Sequence, residues 1–197
     1  DVKTGDGAFM ARLSEARRLG KTMKEIGERF GKRVVVLVTR MNEPLGRAAG
    51  HTVEIAESIA VLRGEEVPQV TDLVLRQAAE LLLLFGRVRS LKEGTALARR
   101  KLVDGSALAV FRRMVAAQGG DPRAVDDPAL LPTAPLVHEI VAPSDGFVAR
   151  IAARACGKAL VLLGGGRARK EDAIDHTVAL TFSKKVGDPV VRGEPVV

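Results

Sequence analysis

From Leu13 to Phe30 apolar residues return at helical spacing. Leu13, Ala16, Met23, Ile26 and Phe30 share one face, with Glu15, Arg18 and Glu28 among the polar positions elsewhere. The spacing predicts a helix that Gly31 ends. Val34 to Val38 breaks that period with a continuous β-branched run, the pattern of a parallel-sheet strand buried on both faces. The segment from Thr39 to Gly46 carries the Pro44 and Gly46 of a loop. A second helix is expected from near Thr52, with Ile55, Ile59 and Leu62 on its apolar side and Gly64 at its end. Thr71 is placed to cap a third, whose stripe is Val74, Ala78, Leu81 and Phe85. Ser90 and Glu93 have capping-box spacing for a fourth. Asp104 opens a fifth, carrying Leu108, Phe111 and Val115.

The pattern shortens after Asp126. Pro132 and Pro135 bracket an expected linker; beyond it Val137 to Val141 and Phe147 to Ile151 are predicted as short strands. Ala152 to Leu163 suits a helix or a strand, since a short apolar run does not decide. Gly164, Gly165 and Gly166 break it, Val178, Leu180 and Phe182 alternate, and Val186 to Pro189 turns the chain. A helix, a strand and a group of helices predict part of an α/β domain over residues 1–131, and the short elements a small α+β domain over 132–197.

Composition narrows the class. The 197 residues are 46% hydrophobic and 28% charged, an ordinary globular balance. With no Trp or Tyr, the core must be aliphatic. No apolar run is long enough to cross a bilayer and no signal-peptide pattern is found, so no membrane partner is expected. The single Cys156 excludes an internal disulfide, which suits a cytoplasmic setting. The net charge of +7 is spread among acids without interleaved aromatics; it reads as a solvated surface, with no nucleic acid as partner.

Familiar catalytic signatures are absent. His51, His138 and His176 lie far apart in sequence, outside any metal-ligand spacing, and neither a nucleophile elbow nor a P-loop occurs. The run from Gly164 to Lys170 reads as a tight connection, with backbone binding of a phosphate as the alternative. Thr4 to Met10, with Gly5 and Gly7, is expected to follow a strand and precede a helix, the usual place of α/β ligand sites. Phe9 and Met10 would by default be core residues. The opening Asp1-Val-Lys3 reads like the end of a strand that begins earlier, so the sheet is expected to have an unpaired edge or to rely on strands outside these residues to cover it.

The segment from Asp1 to Met10 resembles the opening of the second half of the pyrimidine-nucleoside and thymidine phosphorylases. Glu43 to Glu57, Met114 to Gln118, Leu163 to Arg167 and Lys185 to Asp188 resemble further blocks of that family, in family order. The resemblance implies a large α/β domain joined to a barrel-sandwich-like C-terminal domain. It implies phosphorolysis of uridine, thymidine or deoxyuridine, with inorganic phosphate, to free base and (deoxy)ribose 1-phosphate. No organic cofactor is implied, and the intact protein is expected to be a homodimer. The family's phosphate- and base-binding residues match nothing in this chain; a longer intact protein is expected to supply them, and these residues alone are not expected to be a working enzyme. Two features carry over by resemblance: a monovalent cation, potassium in the family, at positions matching Leu45, Ala48 and Glu57, and a base-pocket contact matching Phe9. Two backbone carbonyls and a carboxylate are hard oxygen ligands, as such an ion requires. A rival reading takes the C-terminal part as a biotinyl- or lipoyl-like carrier. None of Lys158, Lys170, Lys184 and Lys185 has the hairpin context a carrier lysine needs.

Overall fold

A computed structural model describes residues 1–197. Its architecture is mixed α/β, with seven α-helices and three two-stranded sheets. Two compact units divide the chain: one holds Asp1–Ala49, Leu136–Asp175 and Leu180–Val197, the other Gly50–Pro135 and His176–Ala179.

The first unit carries every strand. β1 (Val2–Thr4) and β2 (Val38–Arg40) are parallel, with Val2 opposite Val38, and α1 (Leu13–Arg29) connects them. The helix meets the strand segments through small residues. Ala16 and Gly20 are buried, and a Cβ on Gly20 would fall 2.6 Å from a Val36 methyl carbon. That seam runs along one margin of the predicted apolar stripe, so Leu13, Met23, Ile26 and Phe30 remain exposed. The expected doubly buried strand is also corrected. Val34 to Val36 has no strand pairing, Leu37 only accepts the Val2 N–H at 2.7 Å, the strand begins at Val38, and Val35 is exposed. Each strand has one strand neighbour in its sheet, so one edge of each stays unpaired by another strand.

Two antiparallel pairs complete this unit: β3 (Ala48–Ala49) with β5 (Leu180–Thr181), and β4 (Gly146–Phe147) with β6 (Pro189–Val190). Phe182, next to β5, is buried. The strand expected over Val137 to Val141 is reduced to one bridge, Val141 with Pro195, flanked by Ile140 and Ala142 bonds to the last residues. The strand expected over Phe147 to Ile151 stops at Phe147. The ambiguous run resolves as a helix, α7 (Ala153–Leu162).

The second unit is helical: α2 (His51–Leu62), α3 (Pro68–Leu84), α4 (Leu91–Val103), α5 (Ser106–Ala117), α6 (Arg123–Asp126) and a 3-10 turn, Pro128–Leu130. Ile59, Leu75, Ala79, Leu102 and Val125 are buried. α3 and α4 approach closely at Gly94, where a Cβ would lie 2.9 Å from the Ala79 Cα. Thr71 is not the cap of α3. The helix starts at Pro68, whose missing N–H costs nothing at a first helical position, and Thr71 is buried a turn inside, accepting the Val67 N–H. The capping box of α4 forms: Glu93 N–H donates to Ser90 Oγ at 3.2 Å, and Glu93 Oε2 accepts the Arg89 N–H at 2.8 Å. Asp104 opens α5 through the Ser106 N–H at 2.9 Å, with Gly105 between them in a left-handed conformation. Ahead of the linker expected between Pro132 and Pro135, which carries no helix or strand, α6 and the 3-10 turn are ordered, and the Arg63 guanidinium donates to the Val125 and Asp126 carbonyls.

Candidate functional site

The glycine-rich segment leaves β1 at its carboxyl end, where α/β proteins place ligand sites. Gly5 has φ +112°, a conformation that L side chains rarely adopt, and its neighbour Asp6 N–H donates to Asn42 Oδ1 at 3.3 Å. Gly7 N–H donates to the Met41 carbonyl, and Met41 N–H to that of Thr4, both at 2.8 Å. The turn is thereby tied to the residues that follow β2.

α7 holds the same turn from another side. Its N-cap, Ala152, offers no side-chain cap. Asp6 fills that place: Oδ2 accepts the Arg154 backbone N–H at 3.2 Å, near the positive end of the helix dipole. The Arg154 guanidinium donates back to the Asp6 carbonyl at 2.9 Å and the Ala8 carbonyl at 3.1 Å, and Arg150 pairs with Asp6 at 3.3 Å. This fixed backbone turns the Phe9 ring wholly into solvent, while Ala8 is buried. Phe9 is therefore not a core residue of this chain, contrary to its default reading. Beside the turn, Lys3 Nζ donates to Thr39 Oγ1 at 3.0 Å and pairs with Asp1 at 2.9 Å, a cluster that no local spacing signals. Partial burial lowers the Lys3 pKa from its ordinary value.

A second loop, Glu43 to Gly46, is built around Lys185. The ammonium donates to the Pro44 carbonyl and to the Gly46 carbonyl at 2.9 Å, and it pairs with Glu43 at 3.4 Å. Val186 N–H donates to Glu43 Oε2 at 3.3 Å. The Arg47 carbonyl accepts the Phe182 N–H at 2.7 Å. Arg47 and Phe182 are thus a hydrogen-bonded pair, and the adjoining Ala48–Thr181 pair is of the other kind, with carbonyls turned away from the partner strand. The Leu45 carbonyl accepts none of the main-chain bonds of this loop. Two oxygen donors of the expected cation set, the Leu45 and Ala48 carbonyls, are therefore left uncommitted by backbone pairing. Glu57, the third, is a half-buried residue of α2, in the other compact unit.

Other candidates resolve differently. The backbone of the Gly164 to Lys170 run is closed by its own acid, since Asp172 Oδ2 accepts the Ala168 and Arg169 N–H groups at 3.1 and 2.8 Å. That favours a connection over a phosphate cradle. Cys156 is half-buried in α7 and burial pushes its thiol pKa up, away from the thiolate a nucleophile needs. His51 and His176, remote in sequence, bring their rings edge-to-face with centroids 4.8 Å apart, a contact no local pattern signals. No group of three or more His, Cys, Asp or Glu residues has metal-binding geometry, and no helix is long and apolar enough to cross a membrane.

Residues 1–108 match the glycosyl transferase family a/b domain, and residues 147–197 the pyrimidine nucleoside phosphorylase C-terminal domain. The chain is 43% identical over 197 residues to a pyrimidine-nucleoside phosphorylase of Geobacillus stearothermophilus, covering 100% of this chain and 46% of that protein. It is 41% identical over 194 residues to one of Staphylococcus haemolyticus, covering 98% and 45%, and 38% identical over 194 residues to one of Staphylococcus aureus, with the same coverage. The chain thus spans about half the length of the curated relatives it matches. The a/b match takes in more than half of the residues and the C-terminal match follows it in order: the chain belongs to the pyrimidine-nucleoside phosphorylase family.

Proposed function

We propose that this chain is part of a pyrimidine-nucleoside phosphorylase, a pentosyltransferase that cleaves uridine, thymidine or deoxyuridine with inorganic phosphate. The observation that carries the reading is the likeness to pyrimidine-nucleoside phosphorylases along the whole chain. On this reading residues 1–131 belong to the α/β phosphorylase domain and 132–197 form the barrel-sandwich-like C-terminal domain. The intact enzyme is a cytoplasmic homodimer without an organic cofactor.

Phosphorolysis requires phosphate positioned against the anomeric carbon and donors for the charge that builds on the departing base. This chain supplies supports for both. The turn from Gly5 to Ala8, held by Arg154, forms a wall of the cleft and presents the Phe9 ring to the base. Leu45 and Ala48, through their backbone carbonyls, and Glu57, through its carboxylate, would be the residues to hold a potassium ion. When bound, that ion pins the loop through hard oxygen ligands. The phosphate and base donors lie outside these residues, so the segment alone is inactive.

The test is phosphate-dependent release of uracil from uridine and thymine from thymidine. The full-length gene product is expected to turn both over and residues 1–197 alone neither. No base release by the full-length protein, or comparable turnover by the segment, overturns the proposal. Phe9→Ala in the full-length enzyme should raise KM for nucleoside more than for phosphate. Because the ring is exposed, the same change should alter stability by no more than about 0.5 kcal/mol. A stability loss with unchanged KM overturns the role assigned to Phe9.

A further inference from the structure

We infer that Lys185 is a positioning residue: an internal cation that sets the Glu43–Gly46 loop in the shape that presents the Leu45 and Ala48 carbonyls. The inference rests on the proposed cation role of those two residues and extends it to a residue outside the ion's own ligands.

The ammonium sits where loop carbonyls converge. It takes the oxygens of Pro44 and Gly46, one on each side of Leu45, and leaves that of Leu45 out of the clamp. Two carbonyls directed at one cation constrain the peptides on both flanks of Leu45, so the Leu45 carbonyl is held outside the pair that Lys185 occupies. Glu43 closes the arrangement, pairing with the ammonium and accepting the Val186 N–H. The charges are largely withdrawn from water, with side-chain exposures of 13% for Lys185 and 20% for Glu43, and Pro44 and Gly46 are buried. Removing one partner from such a set leaves the others unsatisfied in a poorly solvated place. Lys185 itself is fixed by the turn behind it, where its backbone N–H donates to Asp188 Oδ2 at 2.8 Å. Gly187, in the same turn, has φ +95°. The two carbonyl partners of Lys185 lie 141 and 139 residues away, and no local spacing announces them.

The test uses the full-length protein and potassium chloride, with ionic strength held by choline chloride. The readouts are thermal unfolding and hydrogen–deuterium exchange of residues 43–49. Wild type should be stabilised by potassium with a measurable half-saturation point. Lys185→Met should raise that concentration about tenfold, the effect of one charge-assisted hydrogen bond's worth of loop order now drawn from ion binding. It should also speed exchange in residues 43–49, and Lys185→Arg should restore both in part, which side-chain volume alone would not. Should Lys185→Met fail to fold, Glu43→Gln decides in its place: it keeps the ammonium on its carbonyls, and a rise of about twofold or more supports the inference. An unchanged half-saturation point in a folded variant overturns it, as does a wild type indifferent to potassium. Potassium dependence without phosphorolysis would sink the proposed function and leave this inference standing.

Discussion

The two compact units are held together by different forces. In the helical unit, apolar side chains from neighbouring helices close on one another, with Ile59, Leu75 and Leu102 buried and Gly94 set against Ala79. In the strand-bearing unit the pairings are two or three residues long, and charged side chains far away in sequence fix the loops: Arg154 on the Asp6 turn, Lys185 on the Pro44 loop. The first kind of order resists truncation of polar side chains. The second depends on a few of them.

The largest effect should follow from hollowing the helical unit. Ile59 is 1% exposed, so Ile59→Ala should cost about 2–5 kcal/mol by urea unfolding. A cost under 1 kcal/mol would erase the distinction drawn above. Gly94→Ala should cost about 1–3 kcal/mol, because the new methyl meets backbone rather than a flexible tip. A neutral result would show that α3 and α4 slide apart freely. Arg154→Ala should cost only about 1 kcal/mol globally, since one of its two guanidinium bonds is exposed and the other only part-buried, yet strip amide protection from residues 5–8. If its global cost equalled that of Ile59→Ala, the strand-bearing unit would be as cooperative as the helical one.

The smallest effect is one of acidity. Ser106, donating its backbone N–H at 2.9 Å, and Lys101 at 3.1 Å hold the Asp104 carboxyl at about 2, below its ordinary 3.8. A carboxyl depressed on folding stabilises the native state above its unfolded pKa and loses that contribution as pH falls through the folded value. The start of α5 should therefore weaken between pH about 4 and about 2, whereas Asp104→Asn should be flat there. Carboxyl chemical shifts followed against pH check this; a midpoint near 4 would contradict the depression.

The same contrast explains what the sequence revealed. Helices α1 to α5 were legible because periodicity and caps are local, and the Ser90–Glu93 box formed as expected apart from the shift of one bond to Arg89. Thr71 misled because its hydroxyl suited a cap while Pro68 already supplied the start. Val34 to Val38 misled because β-branched content marks an extended chain without saying which residues find a ladder partner. In the candidate site, Gly5, Gly7 and Phe9 stood out through the glycine turn. The roles of Arg154, Lys3 and Lys185 were not legible, because each acts on groups that only folding brings near.

The strand-bearing unit is assembled from three separated stretches, with the helical unit inserted between the first and second. During synthesis the helical stretch emerges well before residue 185, and its low-order contacts form early. The glycine turn must wait for Arg154, and the Pro44 loop for Lys185, each joining across about 140 residues of chain at the entropic cost of closing that loop. Later stretches of this chain thus fix loops made earlier in it, and a polypeptide released between Arg154 and Lys185 would carry a folded helical unit and a set glycine turn beside an unset Pro44 loop.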